Sequence, residues 1–186
     1  MAVLNLGTIQ DYIDMGRLQI DNDKSNANNN TLGITDFIEA GIFKKKASLP
    51  GVKLLAKGKE RFNAPVKLVV NRASEEAIAH TEEVGGQVMT VHLNRLAMRA
   101  AIRPDKFPKV ANEEEDEEQY LLPKQARPAP KLQPYYTSWK HRGYLCPQVQ
   151  MRAWLQERPD LEEAFEKALK IGGDAAEGKK AAEEEK

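Results

Sequence analysis

A single cysteine, Cys146, in 186 residues leaves no intramolecular disulfide to be made. A disulfide-scaffolded secreted fold is therefore excluded, and a reducing compartment fits. Aromatic residues are scarce, 6% against 30% charged, and apolar residues thin out after residue 110, so only the first part of the chain holds enough of them for a core of its own. No run approaches the roughly 18–20 apolar residues that a membrane-spanning helix needs, and no membrane partner is expected. The first 25 residues lack the Arg-rich, acid-poor character of an organelle presequence, carrying Asp11, Asp14, Asp21 and Asp23 against Arg17 and Lys24. Any such address is expected to have been removed, to lie upstream of Met1, or to be internal.

Net charge is also lacking, formally zero, yet that zero is a sum of separated blocks. Residues 41–110 hold 14 Lys and Arg against 6 Asp and Glu, and residues 119–152 hold 6 Lys and Arg with no acid. Acid collects in residues 1–40, in the run 113–118 and in residues 153–186. A surface crowded with like charge gains most by neutralising phosphates, so segregation of this kind points to a polyanionic partner.

Hydrophobic periodicity predicts short elements in the first 110 residues. Thr8 and Asp11 suggest a capping box for a helix over 8–15, on which Ile9, Tyr12 and Ile13 share a face. After a polar loop at 21–30, Thr35 is expected to cap a second helix with Ile34, Phe37 and Ile38 inward and Gly41 as its stop. Strands are predicted at 52–56, 66–70 and 87–91, with a charged turn at 57–65 and a Ser74-capped helix, ended by Gly85-Gly86, before the last of them. A further helix over 94–102 is expected to bury Leu93, Leu96, Ala97, Ala100 and Ala101, with Arg95, Arg99 and Arg103 on another face and Pro104 as its end. The predicted organisation is a domain over 1–110, an acidic then Pro-rich linker over 111–134, a basic and aromatic extension over 135–172, and a mobile charged tail over 173–186. Pro147 and Pro159 sit where first-turn prolines belong, and Leu161 to Leu169 form an amphipathic pattern.

Support for catalysis is thin. His80, His92 and His141 show no metal-ligand spacing among themselves or with Cys146, so no metal and no catalytic residue is assigned. His80 with Glu82 and Glu83 reads as a solvated helix face. Gly51 to Lys59 fails as a phosphate loop, because its glycines are too far apart and Glu60 stands where Ser or Thr would ligate magnesium. No cofactor and no small-molecule substrate is expected.

The cations are the stronger candidates. Lys44, Lys45, Lys46, Lys53, Lys57, Lys59 and Arg61 decorate turns around the first two predicted strands, where phosphate contact and an ordinary solvated surface are both open readings. Arg95, Arg99 and Arg103 share a helix face with no acid four residues away, so bound phosphate would relieve their repulsion and suit bidentate guanidinium contact. Arg72, Lys106 and Lys109 add to the same basic region. In the extension, Tyr135, Tyr136, Lys140, His141, Arg142 and Tyr144 interleave rings with cations. Such a mixture either stacks on unpaired bases or pins the extension onto the domain or onto a neighbouring protein.

The series Gly51 to Lys59, Val66 to Val70, Arg72 to Ile78 and Gly85-Gly86 resembles the C-terminal domain of the large-subunit ribosomal protein fifteen family. Leu4 to Gly7 and Gly16 to Leu18 look like the start of that domain, and Asn94 to Arg99 is similar to its mitochondrial branch. Tyr135-Tyr136 with His141 to Leu145 looks like an extension of fungal mitochondrial members. Nothing like the family's Gly-, Arg- and Lys-rich arm precedes Leu4, and Glu60 and Thr81 stand where aliphatic residues are expected.

The resemblance implies a small compact α/β domain of short strands and helices, with an extended C-terminal arm and terminal helices. It also implies a structural, non-enzymatic constituent of the large subunit of mitochondrial ribosomes in the matrix, in contact with ribosomal RNA and neighbouring ribosomal proteins. The acidic run Glu113 to Glu118 is then expected to face solvent or a basic neighbour. An assembly factor or protein-interaction adaptor, docking through the amphipathic helix at Leu161 to Leu169, is the alternative.

Overall fold

In the computed structural model, the residues described are 1–20, 30–44, 51–111, 118–124 and 126–156. The loop at 21–29, Lys45, Lys46, the acidic run up to Glu117, the Leu161 to Leu169 helix and the tail lie outside them. Residues 1–146 form one compact unit, and α6 (Pro147–Gln156), which begins at its first-turn proline, opens another.

Two three-stranded parallel sheets organise the first unit. In one, β3 (Val52–Leu55) lies between β1 (Ala2–Asn5) and β5 (Arg72–Ala73); in the other, β4 (Lys67–Val70) lies between β2 (Thr31–Leu32) and β6 (Gln87–Thr90). Parallel neighbours need crossover connections, which here carry α1 (Leu6–Asp14), α2 (Ile34–Glu39) and α3 (Glu75–Glu83). Alternation sets the faces: Val52, Leu54, Leu68, Val70 and Val88 are buried, while Lys53 points outward. These side chains join Leu4, Leu6, Ile9, Phe37, Phe62 and Val66 in one core.

The helix starts differ from the expected ones. α1 begins at Leu6, directly after β1 and with Asn5 in the N-cap position, so Thr8 falls inside the first turn. α2 begins at Ile34 after Gly33, whose N–H donates to the Asp36 carboxylate at 2.7 Å, so Thr35 is likewise internal. Ser74 does precede α3, but its hydroxyl makes no cap bond and is buried without a partner. α4 (Arg95–Ile102) is capped by Asn94, whose side chain accepts from the Ala97 N–H at 2.7 Å. On α4 the buried residues are Met98, Ala100 and Ile102, whereas Leu96, expected inside, is 48% exposed. Helical geometry explains the correction: Leu96 lies three residues before Arg99 and seven before Arg103, on their face of the helix.

Asn71 marks the point where the chain crosses from β4 in one sheet to β5 in the other. Its Oδ1 accepts from the Val52 N–H at 2.8 Å and its Nδ2 donates to the Val91 carbonyl at 3.3 Å, joining the start of β3 to the residue after β6. Thr81 is fully buried despite its hydroxyl, which donates to the Ala77 carbonyl at 2.7 Å and so carries no unpaired polar group into the core. Gly58, at φ +76, follows β3, and a Cβ there would stand 2.9 Å from the Gly7 Cα, so the backbones of α1 and this turn meet only because both residues are glycine.

A short antiparallel pair, β7 (Lys109–Ala111) and β8 (Glu118–Tyr120), joins the end of the expected domain to the stretch expected to be a linker. Beyond it, α5 (Gln133–Thr137) and a 3₁₀ turn (Trp139–His141) lie against the domain. Thr90 at the end of β6 bridges Gly143 in parallel, donating from its N–H to the Arg142 carbonyl at 2.9 Å and accepting from the Tyr144 N–H at 3.0 Å. A Cβ on Gly143 would come 2.0 Å from the Tyr136 carbonyl oxygen, so only glycine lets these two backbones cross.

Candidate nucleic-acid interface

A cluster of four cations stands on α4 and the 3₁₀ turn that follows it (Pro104–Lys106). Arg95, Arg99, Arg103 and Lys106, together with Leu96, line a groove of about 430 Å³. Arg95, Arg99 and Lys106 are exposed and Arg103 is half-buried. Among the described residues, no acid forms an ion pair with Arg95, Arg99 or Lys106. Asp105 and Glu39 line a separate hollow with Ile38, Ala101, Ile102 and Pro104, so the nearby carboxylates are not in the arginine groove. Four cations with aliphatic stems and one exposed leucine can hold phosphate bidentately and cover an apolar group as well.

A second set surrounds β3. Lys53 faces outward and pairs in register with Arg72 on β5, which places two cations side by side on one sheet. Lys57 and Arg61 are exposed and Lys59 is half-buried in the turn between β3 and β4. Arg61 is tied to Asp11 at 2.9 Å across the surface, with both side chains well exposed. Lys44 is exposed just beyond α2, and Lys109 falls within β7.

The extension residues are used differently. Tyr136 is 2% exposed and donates to the Asn71 carbonyl at 3.1 Å, so no ring face remains for a base. Tyr135 stacks on His141 at 4.1 Å, has the Arg72 guanidinium 5.1 Å from its centroid, and exchanges hydrogen bonds of 3.2 and 3.3 Å between its hydroxyl and the Ala73 backbone. Arg142 forms a bidentate pair with Glu82 at 2.6 and 2.7 Å and lies 3.9 Å from the Trp139 ring centroid. Lys140 pairs with Glu75 at 2.9 Å, and Tyr144 is half-buried edge-on to Tyr136. Of the two readings open from the sequence, the contacts of these residues are those of pinning the extension onto the domain. Burial pushes the Tyr136 and Tyr144 hydroxyls above the ordinary tyrosine pKa, with Arg72 and Arg127 respectively pulling the other way.

Sequence reasoning missed Leu96 as a groove residue and Asn71, Glu82 and Thr90 as the anchors of the extension. Leu96 was recoverable from its spacing to Arg99 and Arg103; the anchors carry no local signal. Among the described residues, no group of three or more His, Cys, Asp and Glu is placed to hold a metal ion, and no helix is long and apolar enough to cross a membrane.

Fold and surface together define a small α/β domain of two parallel sheets, with cations on its outward turns and along one helix, and with a C-terminal extension strapped across it. Residues 3–89 match the family described as ribosomal proteins 50S-L15, 50S-L18e and 60S-L27A. It is 34% identical over 167 residues to large ribosomal subunit protein uL15m of Neurospora crassa, covering 80% of this chain and 49% of that protein. The uL15m of Danio rerio is 35% identical over 96 residues, covering 52% of this chain and 30% of that protein. The bacterial uL15 of Ruegeria pomeroyi is 33% identical over 89 residues, covering 47% of this chain and 48% of that protein. The chain thus spans half or less of the length of these curated relatives.

Proposed function

We propose that this chain is a structural, non-enzymatic constituent of the large subunit of mitochondrial ribosomes, contacting ribosomal RNA through the α4 groove and the cations around β3 and bridging neighbouring ribosomal proteins. The observation that carries this reading is the groove of Arg95, Arg99, Arg103 and Lys106 on a chain whose family domain and extension both match uL15m relatives. Phosphate contacts of this kind position a protein on folded RNA with little sequence readout, because A-form RNA is recognised through backbone and shape. The acidic run Glu113 to Glu118 is assigned to a basic neighbour or solvent, since six carboxylates against RNA would oppose binding.

The test is sedimentation of mitochondrial lysate at moderate and high salt, with this chain quantified against large-subunit markers. A constant one-to-one ratio on mature large subunits through high salt is expected. Confinement to lighter precursor particles would replace the structural role with that of an assembly factor.

A further inference from the structure

We infer that the α4 groove receives an unstacked nucleotide, its base against Leu96 and its phosphates on the surrounding cations, rather than the backbone of a paired helix. The inference rests on the reading of this groove as an RNA contact.

Leu96 carries the argument. On α4 the aliphatic residues Met98 and Ile102 are 3% and 4% exposed, yet Leu96 is 48% exposed in the middle of the cations. A site for phosphate alone needs neither an apolar floor nor a hollow. A volume of about 430 Å³ falls within the roughly 300–1,000 Å³ of pockets that enclose small organic groups, and exceeds what a single phosphate fills. A paired A-form helix presents phosphates and 2′-hydroxyls on a convex surface and keeps its bases stacked inside. Only an unpaired nucleotide can be splayed out to place its base in a hollow.

The rim suits the same ligand. Guanidinium groups both pair with phosphate and lie over rings, and among the described residues the chain already uses the second mode, with Arg142 3.9 Å from the Trp139 centroid, Arg72 5.1 Å from that of Tyr135 and Arg17 5.9 Å from that of Tyr12. Glu39 and Asp105 line the other hollow, so the phosphates of the bound nucleotide would meet cations in this one.

The full chain would be titrated with two RNA hairpins of the same stem sequence, one fully paired and one with a single bulged nucleotide. The expected result is binding about tenfold tighter to the bulged hairpin, the order of change that covering the half-exposed Leu96 side chain brings. Leu96→Ala, an exposed change that leaves the core packing alone, is expected to remove most of that preference. Equal affinity of the unaltered chain for both hairpins, or a preference that survives Leu96→Ala, overturns the inference. Combined substitution of Arg95, Arg99 and Arg103 by Gln separates the two levels. Weakened binding of both hairpins, beside equal affinities in the unaltered chain, leaves the RNA reading standing and sinks only the bulged nucleotide. Binding unchanged by the triple substitution removes the RNA reading itself, and the inference with it.

Discussion

Tyr136 and Asn71 are the residues on which the first unit is stitched together. The Asn71 side chain joins the two sheets, and the Asn71 backbone carbonyl accepts the Tyr136 hydroxyl, so the extension is anchored at the point where the chain changes sheet. Burial raises the Tyr136 pKa above its ordinary 10.0 because the phenolate would lose its hydration there. A raised folded-state value means that the stabilisation is complete below about pH 10 and is lost as pH rises through the folded value. Tyr136→Phe is expected to cost about 1 kcal/mol at pH 7 through the lost hydrogen bond. It should also flatten the fall in stability above pH 10, leaving a residual slope from Tyr144, which burial raises too. Urea unfolding at pH 7 and across the alkaline range reads both effects, and identical alkaline slopes in the two proteins would contradict this account.

At the scale of elements, the extension from α5 to Cys146 is held by ion pairs of unequal worth. Arg142 and Glu82 are 16% and 26% exposed and doubly bonded, whereas both partners of Lys140–Glu75 and of Arg61–Asp11 are at least 45% exposed. Exposed pairs contribute up to about 1 kcal/mol, while removing one partner of a shielded pair strands the other charge. Arg142 also sits at φ +50, a left-handed conformation uncommon for a residue with a side chain, so the surrounding contacts must hold it there. Arg142→Ala is therefore expected to destabilise the extension by about 1–3 kcal/mol, between those two limits. Cys146, 4% exposed and the only thiol, reports on it. Its alkylation in the folded protein should speed up several-fold in Arg142→Ala and stay unchanged in Arg61→Ala. Equal rates in both variants would mean that the Glu82 pair does not hold the strap.

Across the whole molecule, a net charge of zero and a sequence pI near 6.9 conceal separated patches. Local fields govern binding to polyanions, so the chain is expected to be retained on immobilised heparin at low salt and neutral pH. The variant with Arg95, Arg99 and Arg103 all changed to Gln should elute at distinctly lower salt; unchanged elution would place the main anion contact elsewhere. Much of this was legible in the chain alone. The three main strands, the helices between them, the arginine face of α4 and the charge blocks follow from periodicity and composition, which are local properties of neighbouring residues. The short strands β1, β2, β5, β7 and β8 did not stand out, since two to four residues carry little period. The helix caps fell at Asn5 and Gly33 rather than at the Thr residues inside the first turns. By itself the sequence determined where the three longer strands β3, β4 and β6 and the helices α1 to α4 fall, and which helix carries arginine. Only the tertiary structure decided how Tyr136 and Arg142 are held, because the groups they bond, Asn71 and Glu82, stand 65 and 60 residues away in the chain and meet them only when the extension docks.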